Sequence, residues 1–118
     1  MSIQLGYAAE IQAQQYLQSQ GLQWLVSNYR TRVGEIDLIM RDGEYLVFVE
    51  VRARHSSTFG HALESISPRK QQKIVRAALM YLTTNKLYAR QLIRFDVVTI
   101  QGTYSVIQWI KNAFANDF

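Results

Sequence analysis

The stretch Glu35-Ile36-Asp37-Leu38-Ile39-Met40-Arg41-Asp42-Gly43-Glu44-Tyr45-Leu46-Val47-Phe48-Val49-Glu50-Val51-Arg52 holds two apolar runs on either side of an Asp-Gly turn signal. Glu35 to Met40, rich in Ile and Leu, predicts one strand. The tetrapeptide Arg41-Asp42-Gly43-Glu44 predicts a hairpin reversal into a second, Tyr45 to Arg54. In that second strand Val47, Val49 and Val51 point to one face, and Leu46, Phe48, Glu50 and Arg52 to the other. Apolar residues on both faces predict a central strand, covered on both sides.

Towards the N-terminus, Trp24 to Tyr29 reads as a short strand. Before it, Leu5, Ala8, Ala9, Ala13, Tyr16 and Leu17 recur at helical spacing from Ile3 to Gln20, between a Ser2 cap and a Gly21 stop. Glu10 falls at the border of that apolar stripe and is the only acidic residue in the first 34. Towards the C-terminus, His55 to Ser67 is a polar loop containing Gly60. Ser67-Pro68 then opens a second helix with an N-cap and a first-turn Pro. Its apolar face holds Ile74, Ala77, Ala78, Tyr81 and Leu82, and its opposite face Arg69, Lys73 and Arg76. Ile93 to Ile100 and Thr103 to Ile110 complete the strands. The second helix is long enough to carry a right-handed crossover between parallel strands. The expectation is an α/β fold spanning 1–118 as one domain, with a central mixed five-stranded sheet flanked by helices.

Composition narrows the function classes. With 118 residues, 48% hydrophobic, the chain can close a core without staples, and zero Cys excludes disulfide scaffolds, zinc ribbons and thiol catalysis. No apolar run approaches the roughly 20 residues that span a bilayer, and the polar start lacks a signal-peptide pattern, so a cytoplasmic protein without membrane contact is expected. The 13 basic residues against 9 acidic ones, a formal net charge of +4, favour a polyanionic partner only weakly.

The acidic residues are not scattered. Glu35 and Asp37 lie two apart on one predicted strand, and Glu50 and Arg52 two apart on its hairpin partner. If the facing sides coincide, Asp37 and Glu50 converge in an otherwise apolar sheet, where burying each carboxylate costs several kcal/mol unless a cation compensates. The cation is either a divalent metal or Arg52 with its neighbours. Hard carboxylate oxygens without Cys, or His at ligand spacing, suit Mg2+ or Mn2+ and metal-assisted phosphodiester hydrolysis. The competing reading is a structural ion-pair network of Glu35, Asp37, Glu50 and Arg52.

Gly34-Glu35-Ile36-Asp37-Leu38-Ile39, followed by Phe48-Val49-Glu50-Val51-Arg52-Ala53-Arg54, resembles the signature of the PD-(D/E)XK nuclease superfamily. More narrowly, the chain resembles the small bacterial YraN-like family, related to archaeal Holliday-junction resolvases. The resemblance runs from Gly6 and Glu10 through Asn28, Arg30, the Phe59-Gly60-His61-Ala62 loop and Ser67-Pro68-Arg69-Lys70 to Arg94-Phe95-Asp96-Val97-Val98. It implies a restriction-endonuclease-like fold and a structure-selective endonuclease. Asp37 and Glu50 would be metal ligands joined by the Val51 carbonyl, with Glu10 helping to hold the metal or its water. Related resolvases act as dimers because two nicks need two sites, so the resemblance admits a homodimer; no dimer patch can be read from the sequence.

Arg52 departs from the pattern, standing where the superfamily usually has a catalytic Lys. Arg stays protonated, so it can stabilise charge on a phosphate but not act as a base. Lys70, beside Ile74 and Ala77 at the edge of the packed helix face, is the candidate replacement, whereas Lys73 is expected to point away. His55 and His61 read as solvated loop residues. Trp24, Tyr29, Phe48, Tyr81, Phe95 and Trp109 read as core rather than as base-stacking platforms, with Phe59, beside Gly60 in a polar loop, the exception. Arg30, Arg32 and Arg54, flanking the site strands with Arg41, join Arg69, Lys73 and Arg76 as candidate nucleic-acid contacts for branched or structured DNA. Setting aside Glu10, Glu35, Asp37 and Glu50 leaves 13 basic residues against 5 acidic, a basic surface around an acidic pocket. A catalytically inactive nucleic-acid-binding module, or a protein-interaction subunit, are the alternatives.

Overall fold

The computed structural model describes residues 3–54, 66–87, 90–102 and 105–114. The elements run α1 (Ile3–Ser19), β1 (Gln23–Arg30), β2 (Glu35–Asp42), β3 (Tyr45–Arg54), α2 (Pro68–Thr84), β4 (Leu92–Gln101) and β5 (Val106–Ile110). The five strands form one sheet in the order β1-β2-β3-β4-β5. All neighbours are antiparallel except β3 and β4, which α2 links as a parallel crossover pair. This is the expected mixed sheet, consistent with a restriction-endonuclease-like fold. Among the described residues no helix is long and apolar enough to cross a membrane.

Helix α1 ends where Gly21, at φ 98°, takes the left-handed conformation. There the Leu22 N–H donates to the Leu17 carbonyl and the Gly21 N–H to that of Gln18, closing the helix with Leu17 and Leu22 both buried. The hairpin reverses one residue later than the Asp-Gly signal suggests. Asp42 is still in the strand, paired with Tyr45, so the turn residues are Gly43 and Glu44. Gly43 has φ 60° and Glu44 no positive φ, the pattern of a Gly-first type II′ turn.

The alternation in β3 is realised on both faces. Val47, Val49 and Val51 pack with Leu38, Met40 and Val98 under Ala9, Ala13 and Leu17 of α1. Leu46 and Phe48 pack with Ile39, Phe95 and Val97 under Ile74, Ala77, Ala78 and Leu82 of α2. Phe48 stacks on Phe95 with ring centroids 5.5 Å apart, and Phe95 in turn on Phe114 at 5.1 Å. Trp24 departs from the core reading: it is 42% exposed. The β1–β2 register shifts between Trp24 and Val26, and this bulge carries the indole off the packed face.

The β1–β2 turn sets how closely the sheet approaches α2. The Thr31 hydroxyl donates to the Gly34 carbonyl at 2.8 Å and accepts the Val33 and Gly34 N–H groups at 3.1 and 3.0 Å. Gly34 is thereby held against the helix: a Cβ placed on it would overlap the Lys73 carbonyl. Gly34→Ala is therefore expected to push β2 from α2 at an overpacking cost of about 1–3 kcal/mol, lowering the melting temperature by roughly 5 °C or more. A thermal scan checks this; an unchanged midpoint would contradict the close approach.

Candidate functional site

Strands β2 and β3 part company just where the acidic residues lie. Their ladder runs from Asp42↔Tyr45 back to Leu38↔Val49, while β2 stays paired with β1 as far as Arg30↔Glu35 and β3 with β4 as far as Arg54↔Gln101. Counting from the turn, the odd residues of β3 direct their N–H groups towards β2. Val51 would be next, but no β2 carbonyl is paired with it. Its N–H donates instead to Asp37 Oδ2 at 2.8 Å, so the carboxylate replaces a rung of the ladder.

The face of β2 also changes here. Ile36 packs on the α2 side and Leu38 on the α1 side, although two residues along a regular strand share a face. The compensating irregularity is Asn28 on β1, which falls opposite Asp37 in the register and takes φ 54°. Asn tolerates this left-handed backbone better than most side chains.

The splay opens a cleft of about 420 Å³ between the sheet and the first turn of α2, lined by Glu35, Asp37 and Glu50 on one wall and Arg69, Lys70 and Lys73 on the other. Ser67 caps α2 by accepting the Lys70 N–H at 3.1 Å, which fixes the backbone from which Lys70 reaches across. Lys70 Nζ lies 3.1 Å from Glu50 Oε1, and Arg52 Nε lies 3.7 Å from the same oxygen. Helix N-termini favour acidic side chains, yet the first turn of α2 has none and carries Arg69 and Lys70 instead. The local preference is broken towards the carboxylates of the sheet, which supply the charge that this helix start lacks.

The electrostatics are strained. Burial pushes Glu50 up to about 7, with the Asp37 charge adding and Lys70 and Arg52 opposing. Burial likewise raises Asp37 to about 6, opposed by the Val51 N–H and Lys70 and reinforced by Glu10 and Glu35. Glu10 is raised too, chiefly by burial, against hydrogen bonds to Asn28 and Asp37. A hydrogen bond between two carboxyl groups requires a proton on one of them.

Not every expected residue lies in the cleft. Glu10 lies near enough to Asp37 for the two to influence each other's titration but lines a neighbouring groove between α1 and β1. Glu35 sits at the cleft edge, exposed and 3.8 Å from a still more exposed Arg30, a surface pair of little energetic weight. Lys73 corrects the expectation that it points away. One turn from Lys70 and adjacent to Ile74, it lines the same cleft, because the first turn of α2 overhangs the splayed strands. Arg32 and Arg76 are exposed and outside the cleft lining. The Arg54 side chain, His55, Phe59, Gly60 and His61 lie outside the described residues. Asn28, assigned no role from sequence, is the residue the reading missed; an Asn inside a strand pattern was its only signal.

The donor chemistry fits a hard divalent cation. Asp37 and Glu50 offer oxygen ligands only, and Mg2+ is commonly held by one or two carboxylates with water completing its shell. Among the described residues no cluster of three or more Asp, Glu, His or Cys side chains is gathered as a cage, so backbone and water would supply the remaining ligands.

The raised carboxylates make metal-free stability depend on pH with a definite sign. A carboxylate whose folded pKa lies above its unfolded value binds protons more tightly when folded. Its stabilising contribution is complete below about pH 4 and is lost as pH rises through 6 to 7. For Glu50 the loss is on the order of 3 kcal/mol. In chelator, urea unfolding should therefore show a steeper loss of stability between about pH 5 and 8 in the wild type than in Glu50→Gln. Equal slopes in the two proteins would contradict the strained site.

Comparison with known proteins places these features in a lineage. The model of the uncharacterised protein family UPF0102 matches residues 9–100. The chain is 47% identical over 114 residues to a UPF0102 protein of Legionella pneumophila strain Philadelphia 1, covering 97% of each chain. It is 49% identical over 112 residues to a UPF0102 protein of Pseudomonas putida strain F1, covering 92% of this chain and 91% of that one. A third relative, from Ectopseudomonas mendocina strain ymp, is 49% identical over 111 residues, covering 93% of each. The matched region runs from α1 through β4 and contains both carboxylates, Lys70 and Gly34; the chain belongs to the uncharacterised protein family UPF0102.

Proposed function

We propose that this protein is a metal-dependent endonuclease of the PD-(D/E)XK type, hydrolysing phosphodiester bonds in branched or otherwise structured nucleic acid in the cytoplasm. The observation that carries the reading is the pair of carboxylates at a strand splay, half-buried Asp37 and buried Glu50, both raised towards neutrality, with Lys70 3.1 Å from Glu50. Perturbed acids in a cleft, beside a specific cation, are the arrangement expected where charge is handled during a reaction.

Asp37 and Glu50, with the Val51 carbonyl, would hold Mg2+ or Mn2+, and Glu10 would steady Asp37 from behind. Bound there, the ion would supply Lewis-acid stabilisation of the phosphate and lower the pKa of a coordinated water. Glu50 would exchange its contact with Lys70 for the ion, freeing the ammonium to orient the attacking water. Arg52 stays protonated and would donate to the scissile phosphate. Arg69 and Lys73 would hold flanking phosphates at the cleft mouth. Arg30, Arg32, Arg54 and Arg76 would extend this contact by charge alone, giving affinity without base sequence.

The test is cleavage of flapped, branched and linear DNA in Mn2+. Asp37→Ala and Glu50→Ala should each abolish cleavage, and Lys70→Ala should slow it by about 10²–10⁴-fold. Equal cleavage by wild type and the carboxylate variants would show that the activity lies elsewhere. One feature favours a second reading. Arg52 Nε is buried without a hydrogen-bond partner in the position where a nuclease needs Lys, as in a binding module without turnover. That reading expects salt-sensitive binding unaffected by chelator, and no cleavage at all.

A further inference from the structure

We propose that the groove between α1 and β1 receives one unpaired nucleobase of the nucleic acid whose phosphate lies in the carboxylate cleft. The proposal rests on the reading above and narrows its substrate to nucleic acid with an unpaired or extruded nucleotide beside the scissile phosphate.

The groove, about 340 Å³, lies in the size range of small-ligand sites, and Glu10, which lines it, neighbours Asp37 of the adjoining cleft. Its walls carry three of the chain's exposed large apolar side chains: Tyr7 at 61%, Trp24 at 42% and Ile11 at 40%. The Trp24 ring is held rather than free, because its indole N–H donates to Ser27 Oγ at 2.9 Å. The strand that presents it is irregular at this groove, with the register shift between Trp24 and Val26 and the left-handed Asn28. A bulge that carries a Trp out of a core needs a compensating use, since the same indole packed inward would stabilise the fold.

Charge identifies the occupant. The cleft carries Arg69, Lys70 and Lys73, whereas among the described residues no Lys or Arg lines the groove and its one carboxylic acid is Glu10. A phosphate is therefore drawn to the cleft and repelled from the groove. The groove instead offers an aromatic face, two amides in Gln14 and Asn28, and a carboxyl group, which together match a flat, uncharged ring with donors and acceptors around its edge. Bases inside a duplex are stacked on their neighbours and cannot enter, so only an unpaired one fits.

The experiment compares binding of a fluorescent duplex with the same duplex carrying an unpaired tail, in chelator, by anisotropy. Wild type should bind the tailed duplex more tightly. Trp24→Ala should lose roughly tenfold on the tailed form and leave the plain duplex unchanged, with Trp24→Phe retaining most of the preference. Intrinsic emission gives a second readout, because the chain has Trp 2 in all and Trp109 is tied to Asp96 at 2.9 Å. An oligothymidylate should quench wild type but not Trp24→Phe. Equal affinities of wild type and Trp24→Ala for the tailed duplex would overturn this proposal while leaving the nuclease reading intact. Absence of binding to either DNA would overturn this proposal, whereas the nuclease reading falls only if the wild type fails to cleave in Mn2+. A Trp24→Ala change that alters only the sedimentation of the free protein would assign the groove to a second copy of the chain and overturn the proposal.

Discussion

The single hydrogen bond from the Val51 N–H to Asp37 governs the shape of the site. A buried backbone N–H must find an acceptor, and at the end of the β2–β3 ladder a side-chain oxygen takes the place of a strand carbonyl. Since the carboxylate occupies that place, β2 cannot close against β3. The gap becomes the cleft, and Glu50 on the next even position of β3 opens onto it. The sheet thus builds its own acidic notch from two strands joined by a tight turn.

A second buried acid in the same sheet shows what full compensation looks like. Asp96, completely inaccessible, accepts from Arg94 Nε and a terminal guanidinium nitrogen, from the Trp109 indole and from the Asn112 N–H. Arg94 is in turn shared with Asp42 at 2.8 Å. Every group in that network has a partner, so it ties β4, the hairpin and the C-terminal turn together. Among the described residues, Glu50, at 6% exposure, has Lys70 within hydrogen-bonding range and Arg52 at a longer distance. Among the described residues, Asp96 thus accepts from four donors, whereas Glu50 has one close cation and faces a cleft. Structural ion pairing accounts for Asp96.

Sequence patterns located the elements well and their local irregularities poorly. The valine alternation of β3, the Ser67-Pro68 helix start and the Gly21 stop each rest on contacts within a few residues, and the sheet order follows from a short hairpin and one crossover. Asp37 and Glu50 were legible because a tight hairpin determines which residues face each other. Trp24 and Asn28 were not, because a bulge and a left-handed strand residue depend on how β1 meets β2, and period-2 counting assumes both away. Lys73 was misread for a related reason: the helical wheel knows the packed face of α2 but not that its first turn projects beyond the core over open strands.

The same overhang explains how Arg can stand at position 52. A Lys on β3 would approach Glu50 along its own strand, from two residues away. Here the ammonium comes from the capped first turn of α2, and Ser67 fixes its starting point. Under the proposed nuclease reading, the strand position is then released from any need to lose a proton, and a guanidinium with its larger, planar donor set can occupy it. Dividing the roles between two elements also couples them. Any shift of α2 relative to the sheet moves Lys70 but not Arg52, and Gly34 against Lys73 is the contact that resists such a shift. The glycine that begins the acidic motif thus acts on the site through the helix, holding at its distance from Glu50 the one cation that neither strand supplies.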